Sequence, residues 1–536
     1  MSTLSVDVLE SLDKTVNIAV KDLVTLSVIG NTLYTVTNYA ALAVVNPAQH
    51  PRVYIQGYYN AGDGGDGYYT YSGGWVLQHS GSVNILQFGA VPGLSGNNYA
   101  AITAAINAVK NYGTPGRGGV VIIPNGTFTY AGTLLLDSQC VSIRGQGGHA
   151  SFLRGTTLDV PLVKITAPYC FITGVEVATS GTGTAGSTGI EVSGSDSTIL
   201  DTVVAGVFDG VRYRGGSMHK VDRIAINDCG STGFLFYGDT LFLNDVFISN
   251  FFIGSNDPSK FALGHFRALG RVEALMLSKG DTIGGTFAFT CDALGTSGLR
   301  YSSFESVYFD STSQGAIFED AAHLHFTDCW ASNGRGFAAP AITFNRCKNF
   351  SVKGLQAYNA GGAGALFNNC SSFSVANSDA TANSVDGSNA GFTLINCTRF
   401  TISDCTGEKG ATGKQSFGLL VGAGCTDYRL LGNNFYDNIS GPIAEDAGNS
   451  NREVAFNRGY VTYTKGAGSL PASTTSMTVN HGLVRTPLLQ DISLTPNGAT
   501  ASPLYVSAVN ATTFTVGTLN ANAGASPFCW KADIMK

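Results

Sequence analysis

A four-column repeat between residues 347 and 432 constrains the fold of this 536-residue chain more than any other feature. Each pass has a cysteine, an aromatic residue three positions later, an aliphatic residue five positions later, and Gly, Asn or Asp seven positions later. The columns are Cys347, Cys370, Cys397 and Cys425; Phe350, Phe373, Phe400 and Tyr428; Val352, Val375, Ile402 and Leu430; and Gly354, Asn377, Asp404 and Gly432. One structural unit of about 25 residues therefore recurs and stacks on its neighbour.

The residue types of this repeat favour a parallel β-helix. Apolar residues alternate over strand-length segments, which excludes helical repeats. Gly, Asn and Asp tolerate positive φ, so their column predicts a tight turn in every pass. Stacked strands place like residues ~4.8 Å apart. We therefore expect an all-β solenoid whose cysteine and aromatic columns are internal ladders, with the four thiols reduced and buried.

The composition agrees with short strands and tight turns, because Gly is abundant at 68 residues and charged residues make up only 13%. The net charge of −6 and the absence of a basic stripe argue against nucleic acid and anionic lipid as partners. The 11 cysteines are spread along the chain without any CxxC pair, so we expect free thiols and no metal site. No run of ~18 apolar residues indicates membrane insertion, and residues 1–9 lack the features of a signal peptide.

The sequence divides into three parts, 1–82, 83–460 and 461–536. In the first part, aromatic strands flank the Asp-Gly pairs of residues 62–67, which predicts a hairpin. A helix is expected from Tyr99 to Asn111, capped by Asn97 or Asn98. Its residues Ile102, Ile106 and Val109 share one face. Residues 461–536 lose the repeat and alternate between short strands and turns, so we expect a small antiparallel β-sandwich.

Several segments resemble parts of bacteriophage tailspikes. Residues 83–90, 100–109, 118–128 and 141–147 resemble, in order, the opening of the pectate-lyase-like superfamily, which is common in phage tailspikes and depolymerases. Residues 54–65 resemble a segment that often precedes this opening, and residues 479–483, 491–496, 513–516 and 530–532 resemble a small C-terminal domain of phage tail proteins. Residues 92–98 depart from the family's acidic stretch, which caps a helix and takes no part in catalysis.

The resemblance implies a right-handed parallel β-helix in a homotrimer on the virion tail, made in the host cytoplasm without a signal peptide. It implies that the protein binds and depolymerises a bacterial surface polysaccharide: capsule, O-antigen or exopolysaccharide. Residues 1–82 would attach to a phage tail, baseplate or adaptor protein, and residues 461–536 would serve trimerisation or carbohydrate binding. No cofactor is implied, and no catalytic residue carries over.

Hydrolysis of a glycosidic bond requires two carboxylates. Aligning the passes stacks Glu273 on Glu305, ~5 Å apart at the backbone, with Asp310 as a third carboxylate that pairs only if the chain bends. The alignment also places Phe247, Tyr308 and Trp330 in one exposed stripe, and aromatic rings of this kind stack on sugar faces. We therefore expect the polysaccharide groove over residues 245–360, beside a longer excursion of the chain at 251–298.

Other interpretations remain open at this stage. The two glutamates are also typical of solvated turns, and the aromatic stripe is equally typical of a subunit interface. The function is an endo-glycosidase with paired carboxylates, a polysaccharide lyase of the same fold, or a receptor-binding fibre that does not cut. A bacterial extracellular pectate-lyase-like enzyme is a weaker alternative, because the signal peptide is missing and the C-terminal segment resembles phage proteins.

Overall fold

The computed structural model describes residues 33–110, 112, 117–181, 183–243, 245–257, 259–292, 298–333, 336–411, 413–498 and 502–536. The expectations for residues 1–32, including that for the signal peptide, lie outside these ranges. Within the ranges, a parallel solenoid and two small antiparallel sheets confirm the all-β prediction. No helix there is long and apolar enough to cross a membrane.

Two parallel sheets build the solenoid. The first, the broad sheet, contains 23 strands within the described ranges. They are Ser82–Asn84, Val120–Ile122, Gly126–Tyr130, Ser142–Arg144, Ser151–Gly155, Phe171–Thr173, Glu176–Thr179, Thr198–Ala205, Lys220–Asn227, Val246–Gly254, Leu275–Ile283, Arg300–Thr312, Ala322–Thr327, Trp330–Asn333, Lys348–Lys353, Gln356–Tyr358, Ser371–Ala376, Asp379–Thr381, Thr398–Ser403, Thr406–Gly407, Thr426–Leu431, Asn434–Phe435 and Ser450–Ala455.

The second, the narrow sheet, contains 13 strands in the same part of the chain. They are Leu134–Leu136, Pro161–Ile165, Thr188–Val192, Asp209–Tyr213, Thr232–Leu243, Gly264–Val272, Phe289–Asp292, Ala316–Glu319, Ile342–Asn345, Ala365–Asn368, Phe392–Ile395, Phe417–Val421 and Gly441–Glu445. The core lies between the two sheets. The segment 251–298, expected to be an excursion, contributes regular strands to both sheets, so that expectation is wrong.

The predicted internal ladders are confirmed. The aromatic column pairs in register, and successive ring centroids lie 4.8, 5.3 and 5.0 Å apart. Cys347, Cys370, Cys397 and Cys425 are buried free thiols, and the Cys397 amide donates to the Cys425 Sγ at 3.5 Å. Rings and thiols therefore pack the core one above the other.

The predicted turn column is also confirmed, because Gly354, Asn377, Asp404 and Gly432 all have positive φ, between 49° and 68°. The same corner occurs in earlier passes at residues of other types: Asp201, Arg223, Asn250, Lys279, Ser306 and Asp328. We call this the corner column. It bends the broad sheet into a first strip before the corner and a second strip after it.

A four-stranded sheet precedes the solenoid. Its strands are Tyr34–Val36, Arg52–Ile55, Gly67–Tyr71 and Trp75–Gln78. The second and third pair antiparallel, which confirms the predicted hairpin. The Asp63 carboxylate accepts hydrogen bonds from the backbone amides of Tyr58, Tyr59, Asn60 and Gly65, and so holds the connecting loop.

The predicted helix spans Tyr99–Val109, and Lys110 after it is extended. Ile102, Ile106 and Val109 are buried against the first strands of the solenoid, as expected. The Asn97 Oδ1 accepts from the Tyr99 amide, whereas the Asn98 side chain bonds to the backbone of Val91. Short 3₁₀ turns occur at Ala40–Val44, Ile85–Phe88 and Leu489–Asp491.

Two three-stranded antiparallel sheets form the C-terminal part, which confirms the predicted β-sandwich. One contains Tyr463–Leu470, Ile492–Pro496 and Ser526–Asp533, and the other contains Ser476–Asn480, Leu504–Val509 and Thr513–Thr518. They enclose a separate small core around Phe514, Val516 and Phe528. The Val454 amide of the last broad-sheet strand donates to the Met535 carbonyl, which ties the sandwich to the solenoid.

Candidate functional site

The second strip of the broad sheet presents a continuous outward column, here called the site column. Each member stands two residues after a corner residue, and parallel pairing stacks them in register. The members are Glu176, Val203, Ala225, Phe252, Asp281, Tyr308, Trp330, Gln356 and Asp379. Because successive members lie ~4.8 Å apart, the column is a floor along the solenoid axis.

Exposed aromatic rings dominate the middle of this floor. The Tyr308 and Trp330 rings stack with their centroids 6.5 Å apart, and Tyr358 approaches Trp330 to 5.5 Å. Tyr308 is 51% exposed and Phe252 is 40% exposed. Large rings this exposed yet ordered by stacking are suited to contact the apolar faces of sugar rings.

Two carboxylates stand among these rings. Asp281 lies beside Tyr308 in register, and Asp310 lies two residues further along the Tyr308 strand. Parallel strands lie ~4.8 Å apart, and two residues extend ~6.6 Å along a strand. The Cα atoms of Asp281 and Asp310 are therefore ~8 Å apart. Glycosidases hold their two carboxyl groups roughly 5–9.5 Å apart, and this Cα spacing allows a separation in that range.

The two carboxylates are electrostatically coupled. Burial raises the pKa of the Asp281 carboxyl, and the negative charge of Asp310 raises it further. The Asp281 Oδ1 has no hydrogen-bond partner among the described residues. Asp281 therefore holds a proton to higher pH than an ordinary aspartate. That is the requirement for a general acid next to a second carboxylate.

The structure brings together three of the six site residues expected from the sequence: Asp310, Tyr308 and Trp330. It does not stack Glu273 on Glu305, so that expectation is wrong. Glu273 aligns with Arg300 in the next strand and forms an ion pair with Arg271. Glu305 is exposed, and it pairs with Ser278 in the preceding strand and with Thr327 in the following strand.

A slip of five residues explains the error. The sequence alignment set Leu275 against Val307, whereas Val307 pairs with Gly280. From Tyr169 onward, each pass has two positive-φ corners five residues apart, such as Ala274 and Lys279. Leu275 follows the first corner of its pass, Ala274, whereas Val307 follows the second corner of the next pass, Ser306. The apolar residue after a corner therefore does not show which of the two corners it is. Such a shift moves every side chain to a different column.

The same slip misplaced Phe247. It is exposed, but it lies on the first strip, where it pairs with Lys220 and Met276. Phe252 occupies the position in the aromatic floor that was assigned to Phe247. The sequence did contain a signal for Phe252, which stands two residues after the corner residue Asn250. It contained none for Asp281, because its corner residue Lys279 is not of a type that indicates positive φ.

A groove continues from the aromatic rings toward earlier passes. It encloses about 750 Å³ on the same face, above Val203, Ala225 and Phe252. At its far end, the His149 Nδ1 lies 3.1 Å from a carboxylate oxygen of Glu176, and burial raises the pKa of Glu176. Small residues on the floor and polar groups at the end give space for an extended polymer.

Polar side chains fix one wall of this groove. Arg223 bonds both oxygens of Asp201 and also contacts Asp222. Asp222 in turn accepts from Ser249 and Asn250. Within the described ranges, no group of three or more His, Cys, Asp or Glu residues could hold a metal ion.

Comparison with solved structures finds chains of similar fold at low sequence identity. Tailspike protein 3 of bacteriophage CBA120 is similar over 79% of this chain and 69% of that chain, with a TM-score of 0.53 and 13% identity. At that identity the likeness concerns the fold.

Two further structures are similar at lower TM-scores. Tailspike protein gp49 of the Acinetobacter baumannii bacteriophage Fri1, a capsular polysaccharide depolymerase, has a TM-score of 0.49 and 12% identity, over 93% of this chain and 97% of that one. The A-module of mannuronan C-5 epimerase AlgE6 from Azotobacter vinelandii has a TM-score of 0.47 and 13% identity, over 70% and 98%. No protein-family model matches the chain, and no curated protein sequence matches it.

Proposed function

We propose that this chain is a phage tailspike that binds a bacterial surface polysaccharide and cleaves it as an endo-glycosidase. One observation carries the proposal: the coupled pair Asp281 and Asp310 stands within a floor of exposed, stacked aromatic rings. The fold shared with the CBA120 tailspike supports the assignment to the phage tail. The polymer would lie along the site column, parallel to the solenoid axis.

In the proposed reaction, Asp281 is the general acid. Burial and the neighbouring charge keep its proton in place, so it can protonate the leaving glycosidic oxygen. Asp310 supplies the second carboxylate, which activates water or attacks the sugar carbon. Phe252, Tyr308 and Trp330 hold the sugar rings on either side of the bond to be cut.

A purified set of capsule, O-antigen and exopolysaccharide samples tests the proposal. The intact protein should release oligosaccharides from at least one of them, detected by mass spectrometry. Products of hydrolysis lack ultraviolet absorbance, whereas elimination leaves an unsaturated sugar end that absorbs. Asp281→Asn and Asp310→Asn should each reduce turnover by roughly 10²–10⁴-fold while binding of the polymer survives.

Matched variants and the chemistry of the products distinguish this proposal from the alternative functions and from a site on the first strip. Asp379→Asn changes a carboxylate four passes beyond Asp281 in the same column and should leave turnover near normal. Absorbing products would indicate a lyase, and binding without products would indicate a receptor-binding fibre. If Glu305→Gln abolishes turnover and both aspartate variants retain it, the site lies at the first strip and the Asp281–Asp310 assignment is wrong.

Two partners belong to the same proposal. Residues 1–82 would attach the protein to the tail, a baseplate or an adaptor protein, and three copies would form the mature spike. Residues 461–536 would support the trimer or bind carbohydrate.

A further inference from the structure

The groove over the site column is closed at its far end by a tight turn, residues 147–150. The turn lies on the floor residue Val203, because a Cβ added at Gly148 would stand only 2.7 Å from a Val203 methyl carbon. It places His149 in the groove, where the His149 Nδ1 lies 3.1 Å from a carboxylate oxygen of Glu176. Backbone packing therefore shapes this end, and polar side chains cover it.

Two arginines stand at this end without ion-pair partners. Arg144 is exposed and lines the groove. Arg154 points outward from the second strip, on the strand next to that of Glu176. Neither guanidinium forms an ion pair or a side-chain hydrogen bond with another described residue. Burial raises the pKa of the Glu176 carboxyl, and the nearby charges of His149 and Arg154 oppose that rise.

The balance of charge at this end favours an anion. Asp201 and Arg223 also line the groove, and Arg223 binds both oxygens of Asp201 and one oxygen of Asp222. The carboxylates of this wall therefore already have partners. The charges left are the two positive ones of the arginines and the negative one of Glu176, a net charge of +1 with His149 neutral.

A sugar that carries a carboxylate matches these groups. The planar guanidinium of arginine binds a carboxylate through two parallel hydrogen bonds. The Glu176 carboxylate can accept a hydrogen bond from a sugar hydroxyl, which an anionic group cannot supply. One negative charge balances the net charge of +1, whereas a neutral sugar would leave both arginines without an ionic partner.

We propose that the far end of the groove is a subsite for an acidic sugar unit, whose carboxylate binds Arg144 and Arg154 while a hydroxyl bonds to Glu176. Four steps of the site column separate Glu176 from Asp281, which is ~19 Å at ~4.8 Å a step. The subsite therefore selects the substrate away from the bond that is cut. The inference rests on the proposed function and narrows its substrate to polysaccharides that contain acidic sugars.

Titration of the full chain with single sugars tests the subsite. D-glucuronate, D-glucose and D-glucose 6-sulfate are the probes, and binding is followed by saturation-transfer NMR. D-glucuronate should bind saturably and more tightly than the other two. Arg144→Gln and Arg154→Gln should each weaken its binding by roughly tenfold, the loss expected for one charge-assisted hydrogen bond. Arg399→Gln is the matched control, because Arg399 is exposed on the first strip and bonds only to the Ser372 hydroxyl there.

Cleavage of a polymer gives a second readout. With a uronate-containing polysaccharide, Arg144→Gln should raise KM by roughly tenfold and leave kcat unchanged, because the subsite lies away from the reacting bond. Arg144→Lys keeps the charge and should recover part of the loss. Chemical reduction of the polymer's carboxylates to hydroxyls should raise KM for the wild type, and Arg144→Gln should then have no further effect.

Failure of the subsite differs from failure of the proposed function. The subsite is refuted if D-glucose or D-glucose 6-sulfate binds as tightly as D-glucuronate, or if neither arginine variant weakens binding. It is also refuted if native and carboxyl-reduced polymers are cleaved with equal KM, a result that leaves the Asp281–Asp310 site standing. D-glucuronate binding that depends on both arginines, without cleavage of any polysaccharide, would support the subsite and overturn the endo-glycosidase assignment.

Discussion

At the scale of a single residue, the surroundings of Asp281 change the pKa of its carboxyl group. Its side chain is half-buried between Phe252 and Tyr308, and the Asp310 charge lies diagonally across the next strand. Both effects disfavour the ionised form, so the pKa of Asp281 stands above its ordinary value. A general acid must be protonated to act, so turnover should fall as pH rises through this raised pKa.

The first prediction concerns this fall in turnover with rising pH, which is the alkaline limb of the pH profile. Asp310→Asn removes the charge that helps to raise the pKa of Asp281, so the residual activity should lose its alkaline limb at lower pH than the wild type. The measurement is kcat/KM against pH for both proteins. Asp379→Asn keeps the Asp281–Asp310 pair and should leave the limb in place. A limb that does not move in Asp310→Asn would show that the two carboxylates are not coupled.

The cysteine ladder illustrates what stacking does at the scale of an element. Hydrogen bonds between successive thiols, together with burial, raise the pKa values of Cys370, Cys397 and Cys425. A thiol with a raised pKa forms little thiolate, and a buried one excludes reagents. Cys529 on the C-terminal sandwich is exposed and provides the internal comparison.

The second prediction follows for thiol labelling. In the native protein iodoacetamide should modify Cys529 and leave Cys347, Cys370, Cys397 and Cys425 unmodified until the chain is unfolded. Mass spectrometry of peptides labelled before and after denaturation measures this. Rapid native labelling of the ladder, or a disulfide within it, would contradict the stacked and reduced arrangement.

The corners explain how far the sequence could predict these elements. Where Gly, Asn or Asp occupies the corner, as at Gly354 and Asn377, the residue type reveals the positive φ, and the register was predicted correctly. In earlier passes the corner residues are Arg223, Lys279 and Ser306, whose types do not indicate positive φ. Parallel stacking enforces the conformation there. The fold was therefore predictable, and the pairing of Asp281 with Tyr308 was not.

The junction between the solenoid and the sandwich belongs to the scale of the whole molecule. Glu445, almost fully buried, binds Arg452 and accepts hydrogen bonds from the hydroxyls of Tyr428 and Tyr460. Arg452 also donates to the Ile534 carbonyl near the end of the sandwich. One buried ion pair thus closes the last turn of the solenoid and fixes the C-terminal strand against it.

The third prediction tests that junction. Arg452→Met leaves the Glu445 charge buried without its cation, so it should destabilise the protein by about 3–5 kcal/mol. Arg429→Met is the matched control, because its ion pair with Glu453 is exposed and should contribute at most about 1 kcal/mol. Thermal unfolding of both variants measures the difference. Equal unfolding temperatures would mean that the junction does not depend on this pair.

The last prediction concerns the assembly of whole chains. The first strip exposes the large rings of Phe171, Phe247 and Tyr301 along the flank of the solenoid. Closed rotational symmetry buries such a flank in a self-limiting assembly, so we expect a homotrimer packed through this strip. Light scattering at micromolar concentration should give three times the chain mass of 55.8 kDa. Phe247→Asp should reduce that mass, whereas Phe252→Asp on the second strip should not. A monomeric wild-type mass would contradict the trimer, and a trimer unaffected by Phe247→Asp would place the interface elsewhere.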